Sequence, residues 1–575
     1  MNPPAPSIYM GAPVAVATGP HGEIANAAFS AYGRQFERKV HAVTPGVWCH
    51  VGACLGNSTM IEGKSGMIVV DTGDCIEQAR AQQDDFRQVS DKPLSTLIYS
   101  HSHYIFGSRA WVAPEQEGRV AVWAHPDLMT NMQRTVGDLS PFIVRRASIQ
   151  FGLYLPSEGP DAMSHQGLGP FFYQLDKYRP TTGFVRPTQT TTDGQQVEID
   201  GVQFQFFHTW GDTDDTLLIW LPETRTVINN IAWPAMFNIY TLRGETFRNP
   251  IELLRGLDKI LEFEPEHLVG VHGVPLSGRE VIRAAVTEYR DTIQFIYDQT
   301  IRGINAGLSP DELVQFVQLP ASLTNGRLTG QFYGELPFHV RQVYAGMVGW
   351  FGNDTVELHR PTPQQQAERT IALAGGADKV AEATREAMAQ REFAWAAQLA
   401  TWLLQGGHDT PANRQLKADA LRAMGRATTA ANTRSWYLTQ ARELEGATDT
   451  TVPAIRFVNA NMVRQMPPMT YVNGLRFLLA PDLSAQGERT IHLHFSAPEA
   501  AFVLRLRNGV VRVARSTGAD GAAAPDCTVR MAFDAWSRLV GREATARSVL
   551  DAGEVQLAGD VALGMQVLAL GAPPR

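Results

Sequence analysis

The stretch TLIYSHSHYIFGSRAW, residues 96–111, runs from an apolar, β-like segment into two histidines, His101 and His103, and then into Ile105 and Phe106. Residues two apart in an extended segment project to the same side, so the two imidazoles form one half of a ligand set. A lone histidine on such a loop is usually a satisfied surface residue; two at this spacing, after an apolar strand, point to a metal. Ile105 and Phe106 do not continue the pattern, because an aliphatic and an aromatic side chain offer no lone pair to a cation.

Upstream, GVWCHVG (46–52), STMIEG (58–63) and GMIVVDTGD (66–74) read as strands of a meander, the last ending in an acidic turn. CIEQARAQQDDFRQVS (75–90) has helical spacing, and the histidine-bearing stretch is the next buried strand. Strand, helix, strand with polar residues at the strand's C-terminal end is an α/β arrangement that places chemistry at a sheet edge. Downstream, residues 197–230 read as three strands around two loops, the first loop carrying Asp212, Asp214 and Asp215. Residues 250–278 supply a helix, a strand and a Gly-flanked loop with His272, where backbone can approach a ligand closely.

The character changes after about residue 280. A long amphipathic helical run continues to about 445, its later part (377–405 and 413–444) reading as paired Ala-rich helices. Small faces of this kind pack helix on helix, so the block is expected as scaffold or dimer interface. A linker, EGATDTTVP, leads to a smaller α+β module whose alternating strands cover an apolar core or cavity. The expected organisation is an N-terminal Pro/Gly/Ala-rich arm (1–40), a metal-binding α/β domain (41–285), a helical domain (286–446) and a C-terminal module (453–575).

Composition sets outer limits. A chain of 575 residues is too long for one core, and 44% hydrophobic with 19% charged residues is ordinary globular usage. A net charge of −8 speaks against a general nucleic-acid partner. Four cysteines form no disulfide framework and fit a reducing compartment. No window approaches 18 consecutive apolar residues, so no membrane span is expected, and the N-terminal text lacks the pattern of a signal peptide; cytoplasmic is the expected location.

The HxH pair, the Gly-Asp-Thr loop and the strand ending in His-Gly together resemble the metallo-β-lactamase superfamily. FNIYTLRG (237–244), EPEHLVGVHGVPLSGREVI (264–282), YRDTIQFIYDQT (289–300), GLSPDELVQFVQLP (307–320), FYGELPFHVRQVYAGMVGWF (332–351) and ALAGGADKV (372–380) are similar to the alkyl sulfatase group within it. The resemblance covers nearly the whole chain after residue 40. It implies an αββα sandwich, then an all-α dimerisation domain and a C-terminal domain like the sterol carrier proteins.

In that family HxHxDH supplies four ligands, a Gly-Glu-Thr loop a fifth, an acid one strand later bridges two zincs, and a late histidine completes the set. His101 and His103 match the first two, Asp212 the carboxylate of the Gly-Glu-Thr loop, and His272 the last. Ile105 and Phe106 stand where the family has Asp and His, and the bridging acid falls on Asn229 or Asn230. The retained HxH and Asp212 belong to one metal position and the lost groups to the other. One divalent metal is therefore expected, Zn²⁺ first, with Fe²⁺ or Mn²⁺ admitted by the two-His, one-carboxylate set. The resemblance also places Arg243 and Arg248 near a substrate sulfate, with Tyr240 assisting; a guanidinium fork suits such an anion, although Arg243 could equally pair with a neighbouring acid. His272, released from ligation, is the expected base or acid. Tyr104 beside the ligands offers a hydroxyl donor, although an adjacent strand residue more often points into the core; Asp71 is expected to order the ligand loop.

Three functions follow from this. The first is a single-metal hydrolase acting on a sulfate ester or related small, amphiphilic anionic ester, working as a homodimer. The second is a mono-metal enzyme of other chemistry, a lyase or dehydratase, with Ile105 and Phe106 lining its pocket. The third is a non-catalytic dimeric scaffold that binds lipid-like ligands.

Overall fold

The computed structural model describes residues 7–570 except 138, 171–174, 176–178, 325, 486 and 517–523. The first six residues of the expected arm and the last five of the C-terminal module lie outside the described residues.

Two sheets stack face to face. The first has seven strands in sequence order, Lys39–Thr44, Val47–Val51, Ser58–Glu62, Met67–Val70, Leu94–Ile98, Ala121–Ala124 and Gln189–Thr190. Its first four form the expected antiparallel meander, and the pairing turns parallel from Met67–Val70 onward. The second sheet has six strands, Gln195–Ile199, Val202–Thr209, Thr216–Leu221, Thr226–Asn229, His267–Gly270 and Leu276–Ser277. Residues 197–230 thus carry four strands and not three, because the Asp200-Gly201 turn splits the first expected strand in two. Between the sheets the inward faces meet: Val47, Ile61, Ile68 and Ile98 pack with Phe204, Phe206, Leu217 and Ile219. Helix Ile76–Phe86 covers the outside of the first sheet and helix Pro250–Phe263 the outside of the second, giving the αββα sandwich. The first strand begins at Lys39, within the stretch expected as arm.

The helical block starts with the 27-residue helix Arg279–Asn305. Its buried stripe, Ile282, Val286, Tyr289, Ile293 and Ile296, follows the 3.6-residue period and faces the sandwich, where Tyr289 donates to the Ala235 carbonyl at 2.9 Å. Further on, helices Pro363–Leu373, Ala377–Ala389, Phe393–Gln405, Pro411–Ala427 and Ala431–Leu444 pack as antiparallel neighbours on Ala-rich faces. The N-terminal segment forms a two-stranded hairpin, Val16–Thr18 with Ile24–Asn26, and a short helix, Ala27–Tyr32, docked on this block. Asn26 donates to the Ala427 carbonyl at 2.8 Å, and Tyr9 to Glu335 at 2.8 Å.

The C-terminal module is a five-stranded sheet, Arg489–Ser496, Glu499–Arg507, Val510–Arg515, Cys527–Met531 and Val555–Gly559, with four strand pairs, one of them parallel. Among the described residues its interior is a packed core around Trp536, Leu493 and Val529. That core is continuous with the apolar outer layer of the first sheet through Phe106 and Phe457.

Candidate metal centre

The strand that leads to the histidines ends at Ile98, and residues 99–107 form a compact turn. His101 and His103 therefore converge because the turn bends them together, not because of strand alternation. Their ring centroids are 5.1 Å apart. Asp212 reaches them from the loop between Val202–Thr209 and Thr216–Leu221. One donor atom from each of His101, His103 and Asp212 lies within 4.8 Å of the others.

The protonation pattern of this trio suits a cation. Ser100 donates to Asp71 through both its backbone N–H (2.8 Å) and its hydroxyl (2.6 Å), which leaves the hydroxyl oxygen to accept from His101 Nδ1 at 2.8 Å. Nε2 of His101 is thereby left with its lone pair bare. That atom is buried, has no hydrogen-bond partner, and sits 3.3 Å from Asp212 Oδ1. An orphaned buried acceptor is costly unless something fills its place. Burial pushes the His101 pKa down to about 3, against the opposing pull of Asp212, so the ring is neutral and ready to ligate. His103 Nδ1 lies 2.7 Å from Asp212 Oδ2. Burial alone would raise the Asp212 pKa, but His103 and His101 outweigh it and hold the carboxyl well below its usual range. Two imidazoles and one ionised carboxylate, arranged in this way, fit a divalent metal.

Of the two asparagines at the end of strand Thr226–Asn229, Asn230 is the one that meets the donors. Its Nδ2 donates to Asp212 Oδ1 at 2.6 Å while its Oδ1 accepts from Trp233 Nε1 at 3.2 Å. Asn229 instead caps the turn after its strand, accepting from the Ile231 and Ala232 amides. The Asn230 amide thus donates to Asp212 where a carboxylate in its place would accept. Ile105 is fully buried in the apolar layer with Met60, Leu97 and Phe106.

His272 does not join the donor trio. Its Nδ1 donates to the Leu55 carbonyl at 2.8 Å, and its Nε2 accepts from the Tyr104 hydroxyl at 3.2 Å. Burial lowers its pKa to about 4, opposed by the Leu55 bond. A strand residue beside the ligands would more often point into the core; because the chain is turning at this point, the Tyr104 ring comes toward the site, 5.1 Å from His101 and 5.3 Å from His272. Gly56 makes room for it, since a Cβ there would lie 2.4 Å from Tyr104 Cγ.

Arg243 pairs with Glu245 at 2.6 Å, and its Nε is buried with no partner. Arg248 acts as a strut, donating from Nε to the Asp212 carbonyl (2.9 Å) and from Nη1 to the Asn238 carbonyl (2.6 Å), so it holds the ligand loop. Tyr240 lies half-buried, its backbone N–H directed at His339 Nδ1 (3.4 Å), and it is outside the lining of the cleft beside the donors.

A cleft opens beside the donors. Ser102, His103, Tyr104, Asp74, Arg243 and Glu245 contribute polar surface, and Phe106, Ile143, Val144, Ala147, Phe151 and Phe457 make the rest mostly apolar. Phe457 was not among the expected site residues, and Asp74 belongs to the acidic turn that closes residues 66–74. Asp74 accepts from the Leu55 amide at 3.2 Å, and burial raises its pKa to about 7. Its position in the DTGD turn, directly after the strand Met67–Val70, was the available signal. Phe457 carried none, because it enters from a segment more than 300 residues away in sequence.

Comparison with known proteins matches three parts of the chain. Residues 51–112 match the metallo-beta-lactamase superfamily, residues 309–447 the alkyl sulfatase dimerisation family and residues 477–570 the SCP-2 sterol transfer family. A linear primary-alkylsulfatase from Pseudomonas sp. is 34% identical over 468 residues, covering 79% of this chain and 88% of that one. An (R)-specific secondary-alkylsulfatase from Pseudomonas sp. is 28% identical over 519 residues, 88% of this chain and 76% of its own. The solved structure of the stereoselective inverting sec-alkylsulfatase Pisa1 from Pseudomonas sp. superposes with a TM-score of 0.85 at 25% identity, covering 97% of this chain and 92% of that one.

Proposed function

Since the chain belongs to the alkyl sulfatase family of the metallo-β-lactamase superfamily, we propose that it hydrolyses a sulfate ester of an alkyl alcohol at a single-metal site formed by His101, His103 and Asp212. The observation that carries this reading is the convergence of those three donors, with the bare, buried Nε2 of His101, on a mostly apolar cleft. A lyase or dehydratase and a non-catalytic scaffold are not favoured beside alkylsulfatase relatives that span most of the chain.

A divalent ion bound by the trio supplies Lewis-acid polarisation and offsets negative charge that develops on the sulfate oxygens. Zn²⁺ is our assignment, with Fe²⁺ or Mn²⁺ compatible with the same donors. We assign one ion because Asn230 offers a donor where a bridging acid would accept, and because Ile105 and Phe106 are apolar. The unpaired Nε of Arg243 at the cleft wall orients the anionic head. The Tyr104 hydroxyl, held by its bond to the neutral His272 ring, is the O–H donor on the same wall. Tyr240 acts in this scheme only by fixing the course of the loop that carries Arg243. A homodimer through the helical block is part of the same proposal, supported by the dimerisation-family match and by exposed Met347, Trp350, Val356 and Leu358. A cytoplasmic location is supported by four buried, unpaired cysteines.

The test is elemental analysis joined to sulfate release from a linear alkyl sulfate. The expected result is close to one metal per chain and measurable sulfate release, both lost in His101→Ala and Asp212→Ala. A full metal site with no release from any alkyl sulfate would reject the sulfatase reading; release that survives loss of the metal would reject the site.

A further inference from the structure

Phe457 stands on the segment that leaves the helical block and enters the C-terminal module, yet it lines the same cleft as His103. Its ring meets Phe106 edge to face, with centroids 4.6 Å apart and planes at 79°. The segment is pinned at that contact and just after it. Thr182 donates its hydroxyl to the Phe457 carbonyl at 3.0 Å, Asn459 Nδ2 donates to the Thr182 carbonyl at 2.7 Å, and the Phe184 amide donates to Asn461 Oδ1 at 3.0 Å. The aromatic pair is therefore a fixed wall, and Phe106 stands within five residues of both histidines of the donor trio.

We propose that the Phe106–Phe457 pair is the stop against which the substrate's alkyl tail ends, so that Phe457, a residue from outside the metal-binding domain, determines the chain length accepted. The proposal takes the amphiphilic anion from the functional reading above, but the tail subsite is testable without any turnover. Ile143, Val144, Ala147 and Phe151 form apolar lining for the methylenes, and each buried methylene tightens binding about fourfold. That gain ends where the next methylene would have to displace a ring that is held by its own backbone bonds. Phe457 also has a simpler possible role, as a staple between two modules through its edge-to-face contact. A staple predicts lost stability on truncation with no change in ligand preference.

The experiment is calorimetric titration of the full-length chain with linear 1-alkanesulfonates of about six to about fourteen carbons, each below its micelle concentration, whose C–S bond resists hydrolysis. In the unaltered protein affinity should rise about fourfold per methylene and then level off. Phe457→Ala should move the plateau to chains longer by about two methylenes, and Phe457→Trp to shorter ones. The Trp variant keeps the test decisive if truncation prevents folding, because it adds a ring where the Ala variant removes one. An identical plateau in both variants, a plateau absent from the unaltered protein, or a fall in stability alone overturns the proposal. Shifted plateaus with no sulfate release from any alkyl sulfate would leave this inference standing and reject only the hydrolase reading.

Discussion

Replacing Asn230 by Asp would restore a carboxylate beside Asp212 and should cost the metal-free fold heavily in a pH-dependent way. Asn230 is fully buried, Asp212 is 4% exposed, and the present contact is a donated hydrogen bond of 2.6 Å. Losing a hydrogen bond to a charged group removes about 1.5–3 kcal/mol. Two carboxylates with charge centres about 4–5 Å apart at an effective dielectric of about 20 repel by about 4 kcal/mol. The total is bounded, because the new carboxyl can take up a proton and donate to Asp212 again. Holding an ordinary aspartic acid neutral costs about 5–6 kcal/mol at about pH 8 and only about 1.5 kcal/mol at about pH 5. The sign follows: the new group has a folded pKa raised above its unfolded value, so the deficit is absent at low pH and grows as pH rises toward the folded pKa. Urea denaturation in the presence of chelator should show Asn230→Asp less stable than the unaltered chain by about 4–6 kcal/mol at about pH 8 and by about 1–2 kcal/mol at about pH 5. A divalent cation should recover much of the loss, since two carboxylates and two imidazoles would then face it. A deficit below about 1 kcal/mol at the higher pH, or one independent of pH, would show that the two side chains do not share a desolvated site.

Three further outcomes follow from the same surroundings. Asp74, whose pKa burial raises to about 7, costs stability as pH climbs from about 4 to about 7; Asp74→Asn keeps the acceptor for the Leu55 amide and should flatten that decline by about 2–4 kcal/mol in denaturation profiles. Arg243→Ala should destabilise by about 3 kcal/mol by stranding buried Glu245, whereas Glu245→Gln should tighten alkanesulfonate binding in calorimetry by releasing the guanidinium, and weaker binding there would show that the pair itself holds the anion. Ile105→Asp should lower stability by about 3–5 kcal/mol and bring no second metal in elemental analysis, because its side chain faces the apolar layer and not the donors. A second equivalent of tightly bound metal in that variant would overturn the last expectation.

The strands were legible from their apolar text and turn residues, whereas their stacking as an αββα sandwich came only from the family resemblance; the Gly-Asp-Thr loop lies where two strands end. The donor trio was legible as residue types, though for a geometric reason different from the one the text suggests. A period-two reading carries through Ile98 and fails at Tyr99, where the chain begins to turn. It therefore favours the core for Tyr104, when the turn in fact aims it at His272. The choice between Asn229 and Asn230 is a matter of one peptide unit at a strand end, and only the fold decides which amide caps the turn and which meets Asp212. Arg243 and Arg248 look alike in sequence; one pairs with its neighbour and keeps a free Nε, while the other donates to two carbonyls. Phe457 illustrates the limit of local patterns, since a residue that lines a cleft from another module leaves no periodic trace in its own segment.

The hairpin and short helix of residues 16–32 have a consequence for how the chain is made. Tyr9, Gly11 and Asn26 are tied to Glu335, Arg391 and Ala427, partners more than 300 residues downstream. During synthesis that segment emerges long before its partners and can dock only after nearly all of the helical block has left the ribosome. It is thus a late-closing, high-contact-order element whose pairing surface stays open while the sandwich folds. Refolding of the isolated sandwich should be fast and independent of it, while acquisition of protease resistance near residues 7–32 should be the slow phase of the full-length chain.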